Sequence, residues 1–421
     1  MQSSIKLRLT VMNFLQFAVW GAYLTSMGRY LGTAGFGSEI GNFYAMQGLV
    51  SLFMPALMGI VADRWIPAQR LLGVCHMLAG MLMLGVFLYT QTDAPSYPSL
   101  FALYSLSVAF YMPTLALSNS VAYTSLDQAG LDLVKSFPPI RVFGTVGFIC
   151  TMIAVSLLGL EATSGQFAVS AIISLVLAVY AQTLPNCPTA PKGQSKSLVE
   201  ALGLRAFVLF KQRKMALFFI FSMLLGVSLQ ITNGFANPFI CTFGEIPAYA
   251  DTFGVKYANI LISLSQLSET LCILLIPFAL RRFGIRRVML IAMVAWVLRF
   301  ALLGLGNPGS GVWLFLLSMI VYGVAFDFFN VSGSLFVDKE TDPSIRSSAQ
   351  GLFMIMTNGI GATLGSLGAQ AVINRFVYSQ SEATAILSGW TTSWYVFAAY
   401  AAVVAVLFAV LFRYNTATEA K

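Results

Sequence analysis

Apolar runs close to 20 residues long recur from one end of this 421-residue chain to the other, and few folds can absorb them. At 1.5 Å per helical residue each run is long enough to cross the ~30 Å hydrocarbon core of a bilayer. Composition points the same way: 58% of residues are hydrophobic and only 10% charged, against about 25% charged in soluble domains. The runs predict twelve transmembrane helices, at about 9–30, 41–62, 71–90, 98–123, 138–160, 165–184, 215–241, 257–280, 287–305, 312–337, 347–373 and 389–412. Pro55, Pro113, Pro277, Gly361 and Gly365 fall inside these runs, and membrane helices tolerate them. The expected class is an all-α polytopic membrane protein.

Loop charge gives an orientation. Of the 24 basic residues, 19 fall on one side, from Lys6 and Arg8 through Arg281, Arg282, Arg286 and Arg287 to Arg413 and Lys421. Arg29, Lys256 and Arg375 fall on the other, and Arg141 and Arg299 lie within spans. The positive-inside rule then makes both termini cytoplasmic. The apolar run after Lys6 and Arg8 is too long for a signal peptide and reads as the first span. The longest polar interval, 185–214, carries Pro185, Pro188, Pro191, Lys192, Gly193 and Ser195, then an amphipathic piece from Leu198 to Leu209. It divides the chain into a six-helix bundle at 1–184, a cytoplasmic linker at 185–214 and a second six-helix bundle at 215–421. A weak internal repeat supports duplication. The loop beginning at Gly59 and the loop beginning at Pro277 are 218 positions apart, and Val108-Ala109-Phe110 recurs 216 positions on as Val324-Ala325-Phe326.

Several function classes drop out. The net charge of +8 is spread over short loops, so it is no nucleic-acid signature. Cys75, Cys150, Cys187, Cys241 and Cys272 are scattered and odd in number, with no disulfide or metal spacing. His76 is the only histidine, which excludes a histidine metal cluster or catalytic triad; it reads as a surface or interface residue at a span end. No nucleophile–base pair is visible, so neither an enzyme nor a cofactor is expected.

Of sixteen acidic residues, only Glu269 and Asp327 fall inside spans. An aspartate at mid-membrane costs about 2.5–3.5 kcal/mol on insertion scales, so it faces a protein interior or a wet cavity. Gly323, Asp327, Asn330 and Ser334 share one helical face, flanked by Tyr322, Phe326 and Phe329. Three more spans carry polar stripes at helical spacing: Arg141, Thr145 and Phe148; Gln230 and Asn233; Gln266 and Glu269. One buried amide often only joins helices, at about 0.6 kcal/mol per bond. Four stripes over both halves point instead to a shared cavity for a polar solute. Amides and hydroxyls suit carbonyl, ring-nitrogen and hydroxyl groups. Aromatic rings offer a stacking face for a planar base. A buried carboxyl can bond sugar hydroxyls or take a proton, because desolvation penalises its charged form. Arg141 is open to three roles, as ligand donor, partner for Asp327 or Glu269, or snorkelling cation. Arg299 reads as a structural pairing. Gly361 and Gly365 read as a helix-packing face, and Asn119 and Asn358 as support for the cavity.

Gly59, Asp63, Arg64 and Arg70 after the second span resemble the loop motif of the major facilitator superfamily, departing from it at Ile66-Pro67-Ala68-Gln69. More specifically, the chain is similar to the bacterial nucleoside:proton symporter family. The segments that carry the likeness start at Phe14 and Phe137, at Phe221 and Leu229, and at Ser265 and Tyr322. The resemblance implies two pseudo-symmetric six-helix bundles with a central nucleoside site. Arg141, Thr145, Phe148, Gln230, Asn233, Gln266, Glu269, Tyr322 and Phe326 match that family's substrate residues. It further implies alternating access, a monomer in the bacterial inner membrane, purine and pyrimidine nucleosides as substrates, and proton uptake on Asp327 or Glu269. Asp63, Arg64 and Arg70 would latch the cytoplasmic gate. The competing expectations are a transporter of another polar solute, such as a sugar or a xanthosine-like nucleoside, and a non-transporting nucleoside sensor.

Overall fold

The computed structural model describes residues 2–189, 204–342 and 345–414. Pro191, Lys192, Gly193, Ser195 and the amphipathic piece from Leu198 as far as residue 203 lie outside the described residues. The described chain is helical throughout. In order it forms α1 (Gln2–Gly21), α2 (Met27–Thr33), α3 (Ile40–Ser51), α4 (Met54–Arg64), α5 (Ala68–Tyr89), α6 (Tyr97–Gln128), α7 (Leu133–Leu157) and α8 (Gly165–Ala181). It continues with α9 (Arg213–Thr242), α10 (Ala258–Leu305), α11 (Val312–Glu340), α12 (Arg346–Met354), α13 (Ala362–Phe376) and α14 (Ala383–Leu411). A π-helical stretch, Ile355–Gly361, joins α12 to α13.

Among the described residues, nine helical stretches of 22 to 48 residues are long and apolar enough to cross a bilayer. Three physical features reconcile nine with the twelve spans read from the sequence. α10 holds two spans in one 48-residue run, bent at Gly284, whose φ of 75° belongs to the left-handed region that glycine enters without a Cβ penalty. The first span is broken by a turn between α1 and α2, so neither piece is long and apolar enough alone. The sixth, α8, has only 17 residues. Outward side chains such as Leu274, 74% exposed, and Val179, 68% exposed, would be a liability in water and suit lipid.

The chain forms two compact units, one of Met1–Tyr30 and Met46–Leu202, the other of Leu31–Ala45 and Gly203–Lys421. In the first unit, Leu9 and Met12 of α1, Leu71, Leu72 and Cys75 of α5, Leu117 and Val121 of α6, Ile140 of α7 and Leu177 of α8 share one core. α1 and α7 meet backbone to backbone. A Cβ on Gly147 would sit 2.1 Å from the Phe14 carbonyl oxygen, and one on Gly21 2.4 Å from that of Phe148. In the second unit, α9 crosses the end of the π-helical stretch and the start of α13 just as closely. A Cβ on Gly361 would lie 2.5 Å from the Met223 oxygen, and one on Gly365 2.3 Å from the Val227 oxygen. Gly361 and Gly365 are therefore a packing face, as their spacing suggested.

The short segment 31–45 groups with the second unit, although it lies among the first spans in sequence. Gln370 of α13 donates from Nε2 to the Gly37 carbonyl (3.1 Å), and Asn374 donates to that of Ser38 (3.2 Å). All five cysteines are free thiols.

Candidate functional site

The second unit concentrates its polar chemistry between α10 and α11. Gly323 lets the two helices touch: a Cβ there would be 2.5 Å from the Ser268 carbonyl oxygen and 2.7 Å from Cys272 Sγ. Ser268 Oγ donates across the same seam to the Ile320 carbonyl. One turn on, Asp327 is only 4% exposed. Its Oδ2 is buried without a hydrogen-bond partner among the described residues. Glu269 of α10 lies close enough for the two carboxyl groups to interact electrostatically. The face read from the sequence is thus an interhelical face in the structure. Its far end is used structurally, because Ser334 Oγ donates to Gln350 Oε1 of α12 (3.1 Å).

Tyr322 is the hub of this cluster. Its ring stacks on Phe326, one helical turn away, at 5.8 Å and 2° between planes. Trp296 meets it edge-on at 5.9 Å. Tyr322 lies within electrostatic reach of Gln266, Glu269, Arg299 and Asp327. The Arg299 guanidinium covers the ring at 4.5 Å and donates to the Ser318 carbonyl (2.8 Å), while Ser318 Oγ donates back to the Arg299 carbonyl (3.0 Å). Arg299 is indeed structural, but a ring, the Ser318 carbonyl and the Ser265 hydroxyl (3.4 Å) hold it rather than a carboxylate among the described residues. Gln266, Glu269, Tyr322, Phe326 and Asp327 are therefore brought together. Such a cluster offers a stacked aromatic face, an amide with both donor and acceptor, and two carboxyls within one helix pair.

On α9, Asn233 Nδ2 donates to Gln230 Oε1 (2.9 Å). That bond leaves the Gln230 amide hydrogens and the Asn233 carbonyl oxygen for another partner. Gln230 is buried and Asn233 half-buried. Asn119 and Asn358 are half-buried too, and Asn358 Nδ2 lies 3.9 Å from Met354 Sδ.

In the first unit, Arg141 and Thr145 lie one turn apart on α7, both half-buried. The Arg141 guanidinium sits 4.0 Å over the Phe17 ring of α1, so it is held inside the unit rather than extended towards a membrane surface. Phe148 is buried and meets Trp20 edge-on at 6.4 Å, and Trp20 leans on Tyr111 at 6.0 Å. Asp63 and Arg64 close α4, and Arg70 sits in the first turn of α5; Asp63 is half-buried and both arginines are exposed.

Two polar groups escaped the sequence reading. His76 is fully buried near the middle of the first unit, not at a span end or surface. Its Nε2 donates to Gln16 Oε1 (2.8 Å), and its Nδ1 lies 2.9 Å from the Ser174 hydroxyl, which donates to the His76 carbonyl (2.9 Å). Gln16 Nε2 donates in turn to Thr114 Oγ1 (2.7 Å), and Tyr111 donates to the Gln16 carbonyl (2.9 Å). The signal was there: Gln16, Thr114 and Ser174 each interrupt an apolar run. Glu161, assigned to a loop, is only 2% exposed. It is neutralised by Arg29 at 3.2 Å and accepts from Ser156 Oγ.

Known proteins are similar to this one along almost the whole chain. The xanthosine permease of Escherichia coli K12 is 49% identical over 415 residues, covering 98% of this chain and 97% of the relative. The nucleoside permease NupG of the same organism is 46% identical over 415 residues, again covering 98% and 97%. A crystal structure of a NupG mutant superposes with a TM-score of 0.91 at 45% identity, covering 97% of this chain and 100% of that one. The fold is accordingly that of the major facilitator superfamily, and the relatives are transporters rather than enzymes. Residues 3–417 match the model of the Nucleoside H+ symporter family, and with helices, seams and polar stripes all falling within that match, the chain belongs to this family of multi-pass membrane transporters.

Proposed function

We propose that this protein imports nucleosides by proton symport, with Asp327 carrying the coupled proton. The observation that carries the reading is the buried, unpartnered Asp327 Oδ2 beside Glu269, next to the Tyr322–Phe326 stack. A buried carboxylate oxygen without a donor is costly while charged, so exchanging the charge for a proton is its natural chemistry. The base stacks on Tyr322, Phe326 or Phe148, and Gln230, Asn233, Gln266 and Glu269 bond the base edge and ribose. Arg141, Thr145 and Phe148 come from the first half, 1–184, and the other residues from the second, 215–421. Alternating access of the two halves moves the solute, and Asp63, Arg64 and Arg70 latch the cytoplasmic side. The loop charges support an inner-membrane location with both termini cytoplasmic, and the protein works as a monomer.

A second substrate reading has its own support, because the xanthosine permease is 49% identical and NupG 46%. Competition binding to purified protein separates the cases. Uridine, adenosine and xanthosine should each be tested against labelled nucleoside, with ribose and free bases as controls. The proposal expects at least one nucleoside to compete and neither ribose nor a base to do so. Gln266→Ala and Phe326→Ala should each weaken binding by about 1–3 kcal/mol, or roughly 5- to 150-fold. Competition by free ribose equal to that of a nucleoside would make this a sugar carrier. Binding without counterflow would make it a sensor.

A further inference from the structure

We propose that the cavity between the start of α9 and the end of α14 binds the phosphate headgroup of an anionic phospholipid. The cavity measures about 520 Å³ and is lined by Arg213, Lys214, Leu217, Val410, Leu411, Phe412 and Arg413. That volume falls within the range of about 300–1,000 Å³ seen for ligand pockets. It lies within the second unit and away from the carboxylate cluster, and the transport reading makes no use of it.

The lining is amphipathic in a way that matches one class of ligand. Arg213 and Arg413 are exposed, and among the described residues neither has an ion-pair partner. Lys214 is already committed to Glu340 and stands 5.4 Å from the Tyr414 ring. Two guanidinium groups therefore remain for an anion, and Arg binds phosphate oxygens in bidentate fashion. The Gln212 side chain makes no capping bond at the start of α9, so the first amides of that helix add positive potential. The floor is held still by Arg286, which donates from Nε to the Phe412 carbonyl and from Nη2 to that of Ala409, both at 2.7 Å. The other side is apolar: Val410 is 59% and Leu411 41% exposed. A free phosphate would leave that side wet, whereas a lipid covers it with glycerol and acyl chain. The cavity lies where two membrane helices begin and end, which is headgroup depth. Basic pockets at such depth favour anionic headgroups.

The test uses the full-length protein in detergent and follows thermal unfolding as phosphatidylglycerol, phosphatidylcholine or inorganic phosphate is added. Phosphatidylglycerol should raise Tm by about 3 °C or more, since a ligand that binds only the folded state stabilises it by mass action. Phosphatidylcholine and phosphate should not. The double variant Arg213→Gln/Arg413→Gln should lose more than half of the shift while keeping its Tm in detergent alone. Arg213→Lys/Arg413→Lys should recover part of it, and Arg281→Gln/Arg282→Gln, exposed basic residues outside the cavity, should keep it whole. On unaltered protein, tenfold more salt should shrink the phosphatidylglycerol shift and leave the detergent Tm in place. Equal loss in both Gln pairs would overturn the site in favour of diffuse surface charge. A full shift with phosphatidylcholine would reduce it to an apolar groove, and a full shift with phosphate would make it a free-anion site. None of these readings depends on which solute is carried.

Discussion

Arg299 shows at the residue scale how this chain keeps a cation inside a membrane helix. Its charge is spread over a planar group that lies on Tyr322 and points at the Ser318 carbonyl, and Ser318 bonds back to the Arg299 backbone. A lysine would keep the charge but lose the flat stacking surface and the fork of donors. Arg299→Lys should therefore cost about 1–3 kcal/mol of stability, read as a lower Tm in detergent. It should also loosen Tyr322 and weaken nucleoside binding. An unchanged Tm would mean that the stack and the carbonyl bond contribute nothing. Polar residues inside apolar runs were legible in the sequence, because the cost of placing them there demands a partner. The identity of the partner was not, since it depends on how each helix is rotated. His76 illustrates the gap: one histidine near a run boundary looks peripheral until Gln16 and Ser174, 60 and 98 positions away, close around it.

Glycine placement controls the elements. Gly365 and Gly368 are three residues apart on α13, but only Gly365 meets α9: its Cβ would be 2.3 Å from the Val227 oxygen, whereas Gly368 has open space. Gly365→Ala should destabilise by about 1–3 kcal/mol through overpacking, and Gly368→Ala should be neutral or stabilise by about 0.5–1 kcal/mol through helix propensity. Thermal unfolding of the two variants side by side checks this, and equal effects would contradict the close crossing. Length and hydropathy made the helices legible, because crossing lipid fixes both. Kinks were legible only in part. Arg281, Arg282, Arg286 and Arg287 marked the break between the eighth and ninth spans, where Gly284 bends α10, but nothing marked the turn that splits the first span between α1 and α2. The grouping of 31–45 with the second unit was also hidden, because Gln370 and Asn374 reach those residues from more than 300 positions away.

At the scale of the whole molecule, the two units carry different chemistry. Arg141 and the Trp20–Phe148–Tyr111 aromatics lie in the first unit, and the carboxylates lie in the second. Family membership supplies what spacing could not, the kind of solute such a lining serves. Positive-inside bias, repeat offset and polar stripes made a transporter legible, but a stripe of amides does not name a nucleoside. On the proposed mechanism, proton uptake on Asp327 drives accumulation. The inward potential adds about 2.3 kcal/mol per charge for each 100 mV, so a coupled carrier can concentrate its solute many-fold. The most direct measurement is nucleoside uptake into proteoliposomes with and without an inward proton gradient, for the wild type and for Asp327→Asn. The account predicts concentrative uptake by the wild type only with the gradient, and at most equilibration by Asp327→Asn. Gradient-driven accumulation that survives in Asp327→Asn would contradict it.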